Sequence, residues 1–242
     1  MAERVERQLA YVLHQRAYRE TSAILELFTR DHGRVAVVAR GLRAAKPRFS
    51  RGNLRALQPI ECAWLHQGEL GQLTAAEAAG LPLVLNGSRL QSALYLNELL
   101  VRMLQRHDPQ AALFEAYARL LPQLSANANA LGFQLRRFEM QLLSELGYGI
   151  DFAVDTSTQM PVVPRGRYRV MPEHGVISAR HLEVDTISGA ALLALSSGEQ
   201  PDPVALRELR RMMRALLLHH LGGRGLNAWR VLRSPVPPSD RA

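Results

Sequence analysis

The stretch GRVAVVARGLRAAKPRFSRGNLR, residues 33–55, decides how this chain is read. Its opening GRVAVVA is a β-branched apolar run of strand type. Immediately after it the chain turns basic: Arg30, Arg34, Arg40, Arg43, Lys46, Arg48, Arg51 and Arg55 stand against Asp31 as the one acid between residues 30 and 55. Just before the run, Asp31-His32-Gly33 offers a tight hairpin turn with glycine where positive φ is tolerated. Gly41, Pro47, Ser50 and Gly52 mark the basic stretch as a loop able to move toward a ligand.

Working outward, LAYVLHQRAY (9–18), AILELFT (23–29), PIECAWLH (59–66) and ELGQLTAAE (69–77) are short β-branched or alternating runs like the one at 34–39. Five such strands between Gln8 and Ala79 suit a small closed sheet, an OB-type barrel, with an SH3-like barrel as the alternative. After Leu81-Pro82 the period becomes helical. SRLQSALYLNELLVRMLQRH starts a helix with Ser88 at its N-cap. PQAALFEAYARLLPQL makes a second helix, stopped or kinked near Pro122. LGFQLRRFEMQLLSELGYG makes a third, with Leu131, Leu135, Phe138, Leu142 and Leu146 on one face and Gly147 at C′. These three are expected to pack antiparallel on one another.

From 150 to 185 the helical period is lost, Pro161, Pro164 and Pro172 interrupt, and YRVMPEHGVIS reads as one hairpin around a four-residue turn. Helix resumes at ISGAALLALSSG and at DPVALRELRRMMRALLLHHLGG, where Asp202 caps, Pro203 suits N1 and Gly222 ends the helix. Leu206, Leu209, Met213, Leu216 and Leu217 face one way on that last helix; Arg207, Arg210, Arg211 and Arg214 face the other. The organisation expected is α+β: a five-stranded OB-type barrel over 1–81, a helical domain over 82–233 with a non-helical excursion at 150–185, and a disordered tail at 234–242.

At 242 residues and 47% hydrophobic, the chain can bury a substantial core. Its net charge of +8 is concentrated. Residues 30–55 carry +7 and residues 205–233 carry +6, so the remainder is acidic at −5. Charge placed in this way favours a polyanionic partner. All but one of the 30 basic residues are arginine, which fits a GC-rich genome as well as bidentate phosphate contacts. The first residues carry charges throughout and no long apolar run follows, so an unexported, cytoplasmic protein without membrane contact is expected. Cys62, the single cysteine, excludes an intrachain disulfide and a thiolate cluster.

No catalytic constellation is present: GxxxxGK[ST], GxSxG, HExxH and GxGxxG between strand and helix are all missing. His219-His220 sits at a helix end, where such side chains cap carbonyls more often than they bind metal. Cys62 lies in an apolar strand and reads as a packed small side chain. The basic stretch is different, because its positive charges repel one another unless a counter-charge is bound. Arginine interleaved with an aromatic, here Phe49, is what single-stranded nucleic acid requires, and Tyr18 and Trp64 sit near other parts of the expected barrel. The candidate contacts are Arg34, Arg40, Arg43, Lys46, Arg48, Phe49, Arg51 and Arg55. Arg207, Arg210, Arg211 and Arg214 form a second candidate surface, though four arginines can simply keep a helix soluble.

HQRAYRETSAILELFTRDHGRVAVVARGLR (14–43), LYLNELLVRML (94–104), RRFEMQLLSELGYGID (136–151) and LGG before LNAWRVLR together resemble the bacterial RecO family of recombination mediators, over nearly the whole chain and in the family's order. The resemblance implies an N-terminal OB domain, a helical body and no enzymatic turnover. It implies binding to single- and double-stranded DNA, annealing of complementary strands, and help with RecA loading on strands coated by single-strand-binding protein (SSB), with RecR as partner and RecF and RecA reached indirectly. A nucleoid-associated cytoplasmic location follows from the same likeness. The family's docking of the acidic SSB tail on the helical domain points to Arg136, then Arg137, with Phe133 as apolar surface. Two departures stand out: Ala17 replaces a common proline, and the four zinc-binding cysteines that many members carry after GYG are missing, so neither metal nor cofactor is expected. An RNA-binding or ribosome-associated OB protein and a purely structural adaptor are the other classes that share parts of this pattern.

Overall fold

Alternation builds the first sheet. In a computed structural model that describes residues 3–66, 68–126, 130–179 and 185–231, strands β1 (Glu3–Tyr18), β2 (Ser22–Thr29), β3 (Gly33–Ala39), β4 (Pro59–His66) and β5 (Gly71–Ala78) close into a barrel of order β1-β2-β3-β5-β4. Neighbours are antiparallel except β3 and β5, which pair in parallel, and β1 closes the ring on β4. This is the OB-type arrangement. Inward positions carry Ala10 and Val12, Ala23, Leu25 and Leu27, Val35, Val37 and Ala39, Ile60, Cys62 and Trp64, and Leu73. The β2–β3 turn uses Gly33 at φ 63°.

Every residue of β2 is buried, including the outward-facing Ile24, Glu26 and Phe28, because helices cover that part of the barrel. Tyr11 and Phe28 hold Phe114 and Tyr117 of helix α2 (Ala111–Ala126), with ring centroids 5.1–6.2 Å apart. On α1 (Gly87–Met103) the buried Asn97 donates to Leu13 O at 2.8 Å, next to a register shift between Val12 and His14, and accepts from the Tyr117 hydroxyl. A carbonyl at a β-bulge is thereby satisfied by a buried amide. The first two helices thus pack on the barrel as well as on each other, contrary to an antiparallel set of three, since the outer barrel face is too apolar to stay open. The α1 helix starts after Asn86 rather than Ser88, and α2 runs through Pro122 to Ala126, its buried Leu120, Leu121 and Leu124 continuing across the proline.

Two compact units result. One comprises the chain through Ser125 and again from Gly225; the other is Ala126–Arg224. In the second, α3 (Leu131–Leu143) ends in a π turn with Gly147 at φ 82°. Where sequence reading expects one hairpin, five short strands form a sheet: β6 (Val154–Asp155), β7 (Met160–Pro161), β8 (Arg167–Met171), β9 (Gly175–Ser178) and β10 (Ile187–Ser188), in order β10-β8-β9-β6-β7. The β8–β9 hairpin closes with Met171 opposite Gly175, leaving three residues rather than four in the turn. Burial raises the pKa of Asp155, but hydrogen bonds from Ser178 and Ser157 outweigh it and hold the carboxyl at about 2. Helices α4 (Gly189–Ser197) and α5 (Pro203–His220) follow, Asp202 capping α5 through Val204 N and Ala205 N. Glu208 of α5 accepts from Arg167 at 2.7 Å and from Ser188 N at 2.9 Å, tying helix to sheet. The last helix, α6 (Ala228–Val231), belongs to the barrel unit and is capped by Glu98. The tail expected at 234–242 lies outside the described residues. Among those described, no helix is long and apolar enough to cross a membrane.

The barrel depends on Gly33. A Cβ there would lie 2.0 Å from Asp108 O, where the α1–α2 loop docks through His107 N to Arg34 O at 3.0 Å. Gly33→Ala combines that clash with a left-handed φ and is expected to cost roughly 2–5 kcal/mol, measured by urea denaturation.

Candidate nucleic-acid interface

The connector from Arg40 to Gln58 joins β3 to β4 without a helix or strand of its own. Its apolar residues hold it. Leu42, Phe49 and Leu54 are buried in the barrel core cluster, and Leu57 is buried too. Backbone bonds pin both ends: Arg43 N donates to Thr21 O at 2.7 Å, and Leu57 N to Val12 O at 3.1 Å. Arg51 fastens the middle, with Nε donating to Leu42 O at 3.0 Å and Nη2 to Ala44 O at 2.6 Å. Arg48 donates to Thr74 O of β5 at 3.3 Å and lies over the Phe49 ring at 5.4 Å. The basic stretch expected as a loop is thus anchored to the barrel by three core side chains and by bonds at both ends.

With the apolar residues turned in, the charges turn out. Arg40, Arg43, Lys46, Arg48, Arg51 and Arg55 are exposed, and residues 40–58 contain no acid. Arg40, Arg43, Lys46 and Arg55 enter no ion pair among the described residues. Two expected members are corrected. Phe49 is 6% exposed, so its ring offers no face to a base. Arg34 sits on β3 and is committed to Glu26 at 2.9 Å and to Leu104 O at 3.1 Å, while Arg106 holds the other Glu26 oxygen at 2.6 Å. Its charge stabilises a buried carboxylate instead of facing solvent.

The structure adds Arg16 and Arg19, both exposed near or in the β1–β2 turn. Pairing of Ala23 with Ala39, together with the Arg43–Thr21 bond, brings that turn beside the start of the connector. The signal for them was present once the strand order was assumed, since β1 and β3 flank β2 in an OB barrel. A separate group, His32 against Trp64 and His66 against His107, lies at the opposite end of β3, about 20 Å away by strand rise. Burial lowers the His107 pKa, and the neighbouring His66, Arg106, His32 and Arg34 lower it further. Cys62 is a packed core residue whose thiol burial pushes up to about 12.

In the second unit, Arg207, Arg210 and Arg211 are exposed and Arg214 half-buried on one side of α5. Arg211 donates to Thr186 O at 2.8 Å. The residues assigned to a tail site separate. Arg136 is 8% exposed and paired within the helix to the fully buried Glu139, and Phe133 is 4% exposed. Only Arg137 is exposed, its guanidinium alongside Gly198. The assigned pocket is core, because Phe133, Phe138 and Leu142 pack inward. His219 and His220 lie in the last turn of α5, and His220 stacks on Tyr148 with centroids 4.1 Å apart. Among the described residues, no group of three or more His, Cys, Asp or Glu is placed to hold a metal ion.

An OB-type barrel with an anchored basic rim, joined to a second helical unit with its own small sheet, is the class these features define. Family models described as "Recombination protein O N terminal" and "Recombination protein O C terminal" match residues 1–81 and 85–230. Relatives named "DNA repair protein RecO" include one from Xanthomonas campestris pv. campestris (strain B100), 41% identical over 94% of this chain and 96% of that protein. Others are from Stenotrophomonas maltophilia (strain R551-3), 41% identical over 96% and 98%, and Xylella fastidiosa (strain M23), 39% identical over 94% and 95%. The chain belongs to the RecO family.

The buried Arg136–Glu139 pair makes a stability prediction. Arg136→Met removes the cation paired with the buried Glu139 and is expected to cost about 3–5 kcal/mol, whereas Arg137→Ala should stay within about 0.5 kcal/mol of the parent. Chemical denaturation of both variants checks the contrast.

Proposed function

We propose that the chain acts in recombinational DNA repair, binding single- and double-stranded DNA, annealing complementary strands and assisting RecA loading onto SSB-coated single strands. The observation that carries this reading is the rim of six exposed basic side chains between Arg40 and Arg55, held against the barrel by Leu42, Phe49 and Leu54. Relatives covering nearly the whole chain carry the name DNA repair protein, which supports the same role. Residues 1–81 serve as the DNA-binding domain, and the helical part expected over 82–233 is divided, with α1, α2 and α6 sharing the barrel's compact unit. Annealing by such a surface needs no covalent step: neutralising two polyanions lowers their repulsion and lets bases pair. The protein is accordingly a mediator, not an enzyme, working with RecR and, through it, RecF on nucleoid DNA in the cytoplasm.

Arg207, Arg210 and Arg211 supply a second surface that could take the other strand. Contact with the SSB tail belongs to the same reading, with Arg137 left as the exposed guanidinium able to meet a carboxylate.

If six phosphates are engaged, log K should fall with log salt at a slope of roughly −4 on single strands. Arg40, Arg43, Lys46 and Arg55 are the residues to reverse, because Arg48 and Arg51 also hold the rim together. The fourfold Glu variant is expected to lose at least about 30-fold in affinity by anisotropy, with a flatter salt slope and unchanged circular dichroism. Annealing by the parent should proceed without nucleotide and in the presence of chelator. Unchanged affinity in the variant overturns the reading, and tighter binding to RNA than to DNA of the same sequence replaces it with the RNA-binding alternative.

A further inference from the structure

Single strands require ring faces as well as guanidinium groups, and the rim provides no free ring, since Phe49 is its one aromatic and is buried. The register of the sheet shows where a ring is available. Tyr18 of β1 pairs with Ser22 of β2. Ala23 pairs with Ala39 of β3, so Ser22 stands opposite residue 40. Ala23 and Ala39 point into the barrel core, and their neighbours Ser22 and Arg40 therefore point outward, as does Tyr18. Tyr18 and Ser22 share the outer face of β1 and β2, and Arg40, the residue directly after β3, continues the row, which spans about 10 Å at the usual strand spacing.

The same face is closed at its other end, where Tyr11 and Phe28 lie under Phe114 and Tyr117. At the row itself Ser22 is buried, but its flanks are accessible: Arg16, Arg19 and Arg40 are exposed and Tyr18 is half-buried. Arg19, in the left-handed region at φ 52°, brings its guanidinium to 5.1 Å from the centre of the Tyr18 ring. A cation over one ring face fixes the side chain, and a base would stack on the opposite face. Thr21 of the same turn accepts from Arg43 N at 2.7 Å, so the ring is tied to the first residues of the basic rim. The one acid in the turn, Glu20, is exposed.

We propose that Tyr18 is the stacking platform for an unstacked base of a single strand whose phosphates run over Arg40 and Arg43, with Arg19 holding the ring in place. The inference rests on the DNA-binding reading above. It makes the barrel a discriminator as well as a binder: the rim takes any polyanion, and Tyr18 rewards only a strand with bases free to leave the stack.

Three proteins and two probes test it: the parent, Tyr18→Ala and Tyr18→Trp, each titrated with oligo(dT) and with a blunt duplex of equal charge. Tyr18→Ala is expected to lose roughly 5- to 100-fold on oligo(dT) and less than about twofold on the duplex. Tyr18→Trp is expected to bind oligo(dT) as the parent does, and its added emission, over the Trp64 and Trp229 background, to be quenched by oligo(dT) and left unchanged by the duplex. Equal losses on both probes, parental oligo(dT) binding by a folded Tyr18→Ala, or an unquenched Tyr18→Trp overturns the stacking role. A parent that binds neither probe overturns the DNA-binding reading itself. Should the alanine variant fail to fold, the quenching of the tryptophan variant decides alone.

Discussion

Insertion of Leu42, Phe49 and Leu54 into the end of the barrel is the interaction on which the basic surface depends. Without it, residues 40–58 would be a long charged loop whose cations separate by repulsion, each free to find water or a distant carboxylate. With it, the apolar side chains fill the core and the backbone between them has nowhere to go. The arginines therefore project outward at fixed spacing. A single phenylalanine buried for packing thus sets the electrostatics of the surface above it, and two of the arginines, Arg48 and Arg51, reinforce the same arrangement by donating to backbone carbonyls.

Helical cover on the outer barrel face has a complementary effect. Phe28 and Tyr11 could not remain in water, so α1 and α2 close that end of the face and take the barrel with them into one compact unit. What remains open is the end bearing Tyr18, Arg19 and Arg40. The division of the barrel surface into a covered half and an open, basic half is a consequence of which outward positions are aromatic and apolar along β1 and β2.

Much of this was legible in the sequence, and the failures have identifiable causes. The five barrel strands follow from alternation and β-branched content, and their observed limits differ from the sequence runs by only a few residues, apart from a longer start to β1. Asp202, Pro203 and Gly222 mark the α5 ends because capping is a local matter. Burial of Phe49 could not be read, since 42, 49 and 54 follow neither a helical nor a strand period and their common destination is tertiary. The second sheet escaped notice because three of its strands are two residues long, shorter than any period can register. Arg136 misled for the opposite reason: a charged residue in a charged block looks exposed, while its partner three positions on, Glu139, is fully buried and takes it into the core.

The central claim is that the basic connector is held rigidly by its apolar anchors before any ligand arrives. Hydrogen exchange of the free protein, resolved at the amides of Arg43 and Leu57, tests it most directly, because these two donate across to Thr21 O and Val12 O at the two ends of the connector. Protection close to that of the neighbouring β2 and β3 amides is the predicted result. Exchange at both amides as fast as in an unstructured peptide, with the strands still protected, would contradict the account.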